Sequence, residues 1–244
     1  MEYAKVKNGV LVLAPDTYIS EVITITDFNK DIKLMEDFGY KPVSYDGFSG
    51  PEYTVKEEIE ELTNRIVIHR ILDNSEEVIE KYKEAKINQT LTNLEEYLYN
   101  HPLTSSVRGT ELKYTVTQQK QNQLTSTISD YISNALPYLL DALTQGLIGS
   151  NLAEYMDNLN IDIYWNSQGD TCEKWKYSEI FQLKNEIVAY VRPIVEYQRY
   201  LEKHITSMTS QEDIIQYDIS FTEEKLNSWK APSSKNTDTE TKDS

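Results

Sequence analysis

Along the chain, apolar residues first alternate with polar ones in short runs, then switch to helical spacing after about residue 75. Tyr3-Ala4-Lys5-Val6 and Val10-Leu11-Val12-Leu13 flank Lys7-Asn8-Gly9. Asn-Gly between two apolar runs predicts a tight hairpin, because both residues tolerate positive φ. A short helix is expected over residues 30–38, with Asn29 as its cap and Gly39 as its left-handed stop. Gly39-Tyr40-Lys41-Pro42-Val43 reads as extended, and a Gly/Pro-rich loop follows over 46–51. Ile59-Glu60-Glu61-Leu62 and the run from Ile66 to Leu72 predict a second hairpin around Thr63-Asn64-Arg65. These pieces make a small β-rich module over residues 1–72.

Asp73-Asn74-Ser75 followed by Glu76-Glu77 is a helix start with acids at the positive end of the dipole. That helix should run to Asn100, where His101-Pro102 stops it, and residues 73–104 are expected to connect two halves. Leu112, Tyr114 and Val116 alternate as a strand, and a helix from Thr117 presents Leu124, Ile128, Tyr131 and Ala135. Further helix is expected over 138–159, interrupted at Gly146 and Gly149. Ile161 to Trp165 has strand periodicity, and 172–177 returns as its hairpin partner.

The most regular stretch covers residues 178–208. Ile180, Lys184, Ile187, Val191, Ile194, Gln198, Leu201, Ile205 and Met208 alternate spacings of four and three. Such a seam serves either as the core of a domain or as an oligomer contact, and Ile187, Val191, Ile194, Gln198, Leu201 and Ile205 are its candidate residues. Pro193 is expected to kink it. Gln198 is the polar member, so it should face a polar pocket or meet its own copy across a symmetry axis. Residues 105–221 therefore form a second domain, mainly helical, with a small antiparallel sheet and one long helix. Residues 222–244 end in Lys-Ala-Pro-Ser-Ser-Lys-Asn-Thr-Asp-Thr-Glu-Thr-Lys-Asp-Ser, a polar tail that is expected to stay disordered. The fold class is α+β.

Charge narrows the choice of partners. Net charge is −16, from 40 acidic and 24 basic residues spread along the chain. This field repels phosphate backbones and anionic lipid, so neither nucleic acid nor membrane is expected as a partner. No run approaches the apolar length that spans a bilayer, and the N-terminus lacks a secretory apolar core. Mean hydropathy is −0.57. The 18 Tyr outnumber 5 Phe and 3 Trp, which tilts the surface towards protein contacts.

Candidate chemistry is thin. His69, His101 and His204 lie in separate elements, and Cys172 is the single cysteine, so no metal-site spacing exists. Cys172 is expected to be a buried side chain. Asn158, Asn160 and Asp162 alternate like a calcium loop, but Ile163 and Gly169 stand where Gly and Glu are required. Gly146-Leu147-Ile148-Gly149-Ser150 is not a nucleophile elbow. There is no phosphate-cradling Gly loop, and adjacent acids such as Glu57-Glu58 say nothing in so acidic a chain. Asn88-Gln89-Thr90 matches a glycosylation acceptor without a secretory context. No cofactor, metal or catalytic residue is expected.

Residues from about 111 to 219 resemble an uncharacterised domain of phage tail, tail-fibre and fibre-assembly accessory proteins. The resemblance rests on Leu112-Lys113-Tyr114-Thr115-Val116-Thr117 with Gln121 and Leu124, on Ile163-Tyr164-Trp165-Asn166, and on Cys172-Glu173-Lys174-Trp175. It continues through Ile187-Val188-Ala189-Tyr190-Val191-Arg192-Pro193 to Ile205 and Ile214. Tyr3-Ala4-Lys5-Val6 with Asn8-Gly9-Val10, and Gly39-Tyr40-Lys41-Pro42-Val43, look like the N-terminal module of short phage tail accessory proteins. The resemblance implies a non-enzymatic structural part of a tailed-phage virion, assembled in the host cytoplasm. Its partners would be other virion proteins, with a homo-oligomer as one possibility. The alternative is a fibre-assembly chaperone that is absent from the mature particle, and an enzyme with a widely scattered site is a third reading.

Overall fold

The structure, a computed structural model, describes residues 2–159, 161–166 and 172–229. Of the described residues, 51% are helix and 21% strand, an α+β fold. The chain divides into two compact units, Met1–Glu84 with Met208–Tyr217, and Ala85–Ser207 with the residues from Asp218 onward.

The first unit is built on a five-stranded sheet. β1 (Tyr3–Lys7) and β2 (Val10–Leu13) form the expected hairpin, with Lys7 opposite Val10. Asn8 and Gly9 carry φ of 53° and 78°, the two positive angles that a two-residue turn requires. A small hairpin, β3 (Tyr18–Ile19) and β4 (Thr24–Ile25), follows, then a 3₁₀ turn over Phe28–Lys30 and helix α1 (Ile32–Asp37). Asn29 lies inside the 3₁₀ turn, so the expected cap is corrected to Asp31, whose carboxylate accepts from the Leu34 N–H at 3.0 Å. Gly39 has the expected left-handed conformation, φ 81°.

β5 (Lys41–Gly47), β6 (Val55–Glu61) and β7 (Ile66–Leu72) complete the sheet in the order β2-β1-β5-β7-β6. β7 runs parallel to β5 and antiparallel to β6. The second hairpin begins at Val55 rather than Ile59, because an edge strand needs only one apolar face and tolerates the run Lys56-Glu57-Glu58. Gly47 is required where it stands. Its φ is 85°, and a Cβ there would lie 2.2 Å from the Arg70 carbonyl oxygen. One face of the sheet buries Ala4, Val43, Ile66 and Ile68, while Tyr3, Phe28, Met35 and Tyr40 form a separate aromatic cluster.

α2 (Glu76–Asn100) carries the chain from the first unit into the second. The second unit contains the hairpin β8 (Leu103–Ser105) and β9 (Leu112–Tyr114), then α3 (Gln118–Thr144) and α4 (Gly149–Asp157). The hairpin β10 (Ile163–Trp165) and β11 (Glu173–Trp175) precedes the long α5 (Tyr177–Ser207). Thr117 caps α3, and Gly146 takes positive φ just past its end. The core packs Leu94 and Leu98 of α2, Tyr114 of β9, Leu124 and Ile128 of α3, and Trp165 and Trp175 of the β10–β11 hairpin against Ile180, Leu183 and Ile187 of α5. α5 remains one element through Pro193, which lies on its exposed side.

Two short helices follow. α6 (Gln211–Gln216) belongs to the first unit and α7 (Glu223–Ser228) to the second. α7 corrects the expected tail over 222–244. Phe221 and Trp229 flank it and set their rings against Tyr197 at 5.3 and 5.7 Å, which anchors a segment whose own sequence is polar. The rest of that tail lies outside the described residues. The expected domain limits at 72 and 105 also shift, because the division falls within α2 and residues 208–217 return to the first unit.

Candidate functional site

Ile187, Val191, Ile194, Gln198, Leu201 and Ile205 are 0–5% exposed, so the α5 seam is core and does not face a second copy. Gln198 has the polar pocket that the sequence called for. Its Nε2 donates to Thr90 Oγ1 at 3.1 Å, and Thr90 Oγ1 donates in turn to the Ile87 carbonyl at 2.7 Å. Thr90 is fully buried within α2, which explains why the glycosylation pattern at Asn88 is an ordinary helix sequence.

A cleft of about 380 Å³ lies in the second unit and is lined by Arg108, Tyr131, Asp157, Lys174 and Trp175 among others. Two of its cations, Arg108 and Lys174, are held in ion pairs. Arg108 bonds Glu173 and sits 4.7 Å over the Trp175 ring, and Lys174 bonds Asp162. Asp157 accepts from the Ser178 N–H at 2.8 Å and from its hydroxyl at 2.5 Å, so it caps the start of α5. Burial pushes the Tyr131 hydroxyl up to about 12, and it donates to the Met156 carbonyl at 3.1 Å. These groups hold local structure and do not form a free acid–base pair.

His69 is held between two carboxylates on the sheet of the first unit. Its Nδ1 lies 2.8 Å from Asp46 Oδ1 and its Nε2 3.1 Å from Glu60 Oε2, with Glu58 opposite in register. Glu60 first, and then Asp46, hold the imidazolium above its ordinary value. The other histidines stand apart. His101 Nδ1 contacts the Tyr97 carbonyl, and His204 Nδ1 contacts the Tyr200 carbonyl. Among the described residues, no group of three His, Cys, Asp or Glu converges as a metal site. Cys172 is exposed, which corrects the expectation of burial: it precedes β11, outside the core that Trp175 enters. No described helix is long and apolar enough to cross a membrane.

An edge strand and a helix each expose apolar residues. β2 is an edge strand, Val10-Leu11-Val12-Leu13, with Val10 and Leu13 exposed and no charge or proline within it. The Ala14 N–H donates to the Tyr3 carbonyl at 2.8 Å, so by the antiparallel alternation the amides of Leu11 and Leu13 point away from β1. In the second unit, α3 exposes Ile132, Leu136, Leu140 and Leu143 on a single face. Neither surface was singled out from sequence. Both read as ordinary apolar patterning until burial shows which residues the fold leaves uncovered.

No family model matches this chain, and no curated protein or solved structure is significantly similar to it.

Proposed function

We propose that this chain is a non-enzymatic structural component of a tailed-bacteriophage virion, attached to tail or fibre proteins by strand addition at β2. The observation that carries the reading is the unprotected edge. Natural sheets usually blunt their edges with charge, as β6 does here with Glu57, Glu58, Glu60 and Glu61. β2 has no such protection and offers free main-chain groups beside exposed Val10 and Leu13. Such an edge suits an extended, apolar segment of another protein, with main-chain bonds giving affinity and alternate side chains giving selectivity. The particle context comes from the resemblance to phage accessory modules, whose N-terminal pattern falls on β1, its turn, β2 and β5.

The test is mass spectrometry of particles purified from a lysate of the phage that encodes the chain. A structural component is present in fixed ratio to the tail proteins. Leu13→Pro removes one outward N–H and leaves the Val10, Val12 and Ala14 bonds to β1 in place. The variant is expected to fold and to be missing from particles. Absence of the unaltered chain from particles overturns the structural reading in favour of an assembly chaperone.

A further inference from the structure

α3 is apolar around half its circumference, and the second unit covers only part of that arc. Leu124, Ile128, Tyr131, Ala135 and Ala142 are buried. Ile132, Leu136 and Leu143 are exposed, and Leu139 between them is half-buried. Their spacing is four, three, four, which is the pattern of a helix–helix seam. Leu140, 56% exposed, widens it. A surface helix needs one apolar stripe to hold it to its domain, and this helix carries a second one. The same face continues towards the N-terminus as Thr125 and Ser129, without charge.

We infer that this face of α3 is a self-association surface that pairs antiparallel with α3 of a second copy across a two-fold axis. Two observations select that occupant. The residues of this chain outside the described ones are polar apart from Met1, Gly169, Ala231 and Pro232, so they hold no apolar segment able to cover the stripe. Charge supplies the second. Between residues 121 and 153, Asp130 and Asp141 are the only charged residues, in a chain of net charge −16. At 3.6 residues per turn both lie more than about 100° around the helix from the stripe centre. A partner recognised by charge would need ionised groups rimming the stripe, and α3 itself supplies none there. An antiparallel second copy needs none, because Leu136 of one copy meets Leu139 of the other and the aspartates stay outside.

From Thr125 to Leu143 the face is roughly 27 Å long at 1.5 Å per residue. A single helix pair of this length falls at the small end of interface sizes, so the dimer is expected to dissociate in the micromolar range or above. Each copy is strongly negative, and salt screens their repulsion without weakening apolar contact. Self-association therefore strengthens as salt is raised, the reverse of an ion-paired interface. The inference is independent of any place in a particle.

Sedimentation velocity of the full chain, from micromolar to millimolar concentration in low and high salt, tests it. The expected result is a monomer–dimer equilibrium that shifts towards dimer with salt. Leu136→Glu and Leu140→Glu are each expected to weaken it by a factor on the order of 30 or more. Because both side chains are about half exposed, circular dichroism and thermal midpoint should stay unchanged. Asp141→Asn, off the seam, should leave the equilibrium within about twofold. A chain that stays monomeric up to millimolar concentration in high salt overturns the inference. So does a dimer that both glutamate variants leave intact.

Discussion

Two glutamines, Gln198 and Gln211, are 4% and 0% exposed, and their hydrogen bonds give them opposite importance. Gln198 donates to Thr90 Oγ1, which keeps its own bond to the Ile87 carbonyl whether or not Gln198 is present. Gln211 is bonded as a strand would be. Its Oε1 accepts from the Thr54 N–H at 2.9 Å, and its Nε2 donates to the Thr54 carbonyl at 2.8 Å and the Asp73 carbonyl at 3.2 Å. Its own N–H donates to Asn74 Oδ1 at 3.0 Å. Removing a partner from a buried main-chain group costs about 1–3 kcal/mol for each group left unpaired, whereas removing a self-contained pair is nearly neutral. Gln198→Leu is therefore expected to change stability by less than about 1 kcal/mol, and Gln211→Leu to cost roughly 2–5 kcal/mol. Urea denaturation of the two variants measures both, and equal losses would show that burial outweighs the bonding pattern.

At the scale of elements, β5, β6 and β7 are tied across their exposed face by His69. Both of its ring nitrogens can donate only when the ring is protonated, and both face carboxylates, with Glu58 and Lys56 on the same face of β6. A raised folded value means that the contribution is complete below about 6.5, the ordinary imidazole value, and is lost as pH climbs through the folded value. An NMR titration should place His69 above that ordinary value. Glu60→Gln should lower it further than Asp46→Asn does. A His69 that titrates at its ordinary value would falsify the clamp. The strands that form it were legible in part. Asn8-Gly9 and the apolar run Ile66-Val67-Ile68 announced themselves, because turn chemistry and continuous burial leave local marks. The start of β6 did not, since its Lys and Glu run is allowed only by its place at an edge. α5 was read almost to the residue from its spacing, and all six of its candidate seam positions are buried. Whether they met a domain or a second copy depends on what packs against them, which spacing cannot encode. α7 was missed for the same reason: Phe221 and Trp229 matter through Tyr197, a residue far from them in sequence.

At the scale of the whole molecule, the first unit is discontinuous. Its sheet comes from residues before Glu84, but Gln211, which pairs with Thr54 and Asp73, arrives on Met208–Tyr217. A fragment ending at Glu84 is therefore expected to lack a cooperative unfolding transition. The same fragment joined by a flexible linker to residues 208–217 should recover one, as read by circular dichroism against temperature. A cooperative transition in the short fragment would show that α6 is dispensable. The interrupted connection also bears on how the protein is made. Domains ordinarily fold from the N-terminus as they leave the ribosome, at about 5–20 residues per second. Here the strands synthesised first must wait, on the order of ten seconds at those rates, until the decapeptide that supplies Gln211 has emerged. During that interval Thr54 and Asp73 lack their partner and the apolar edge of β2 stands beside an unfinished core. In the nascent chain, the module made first is the one completed late.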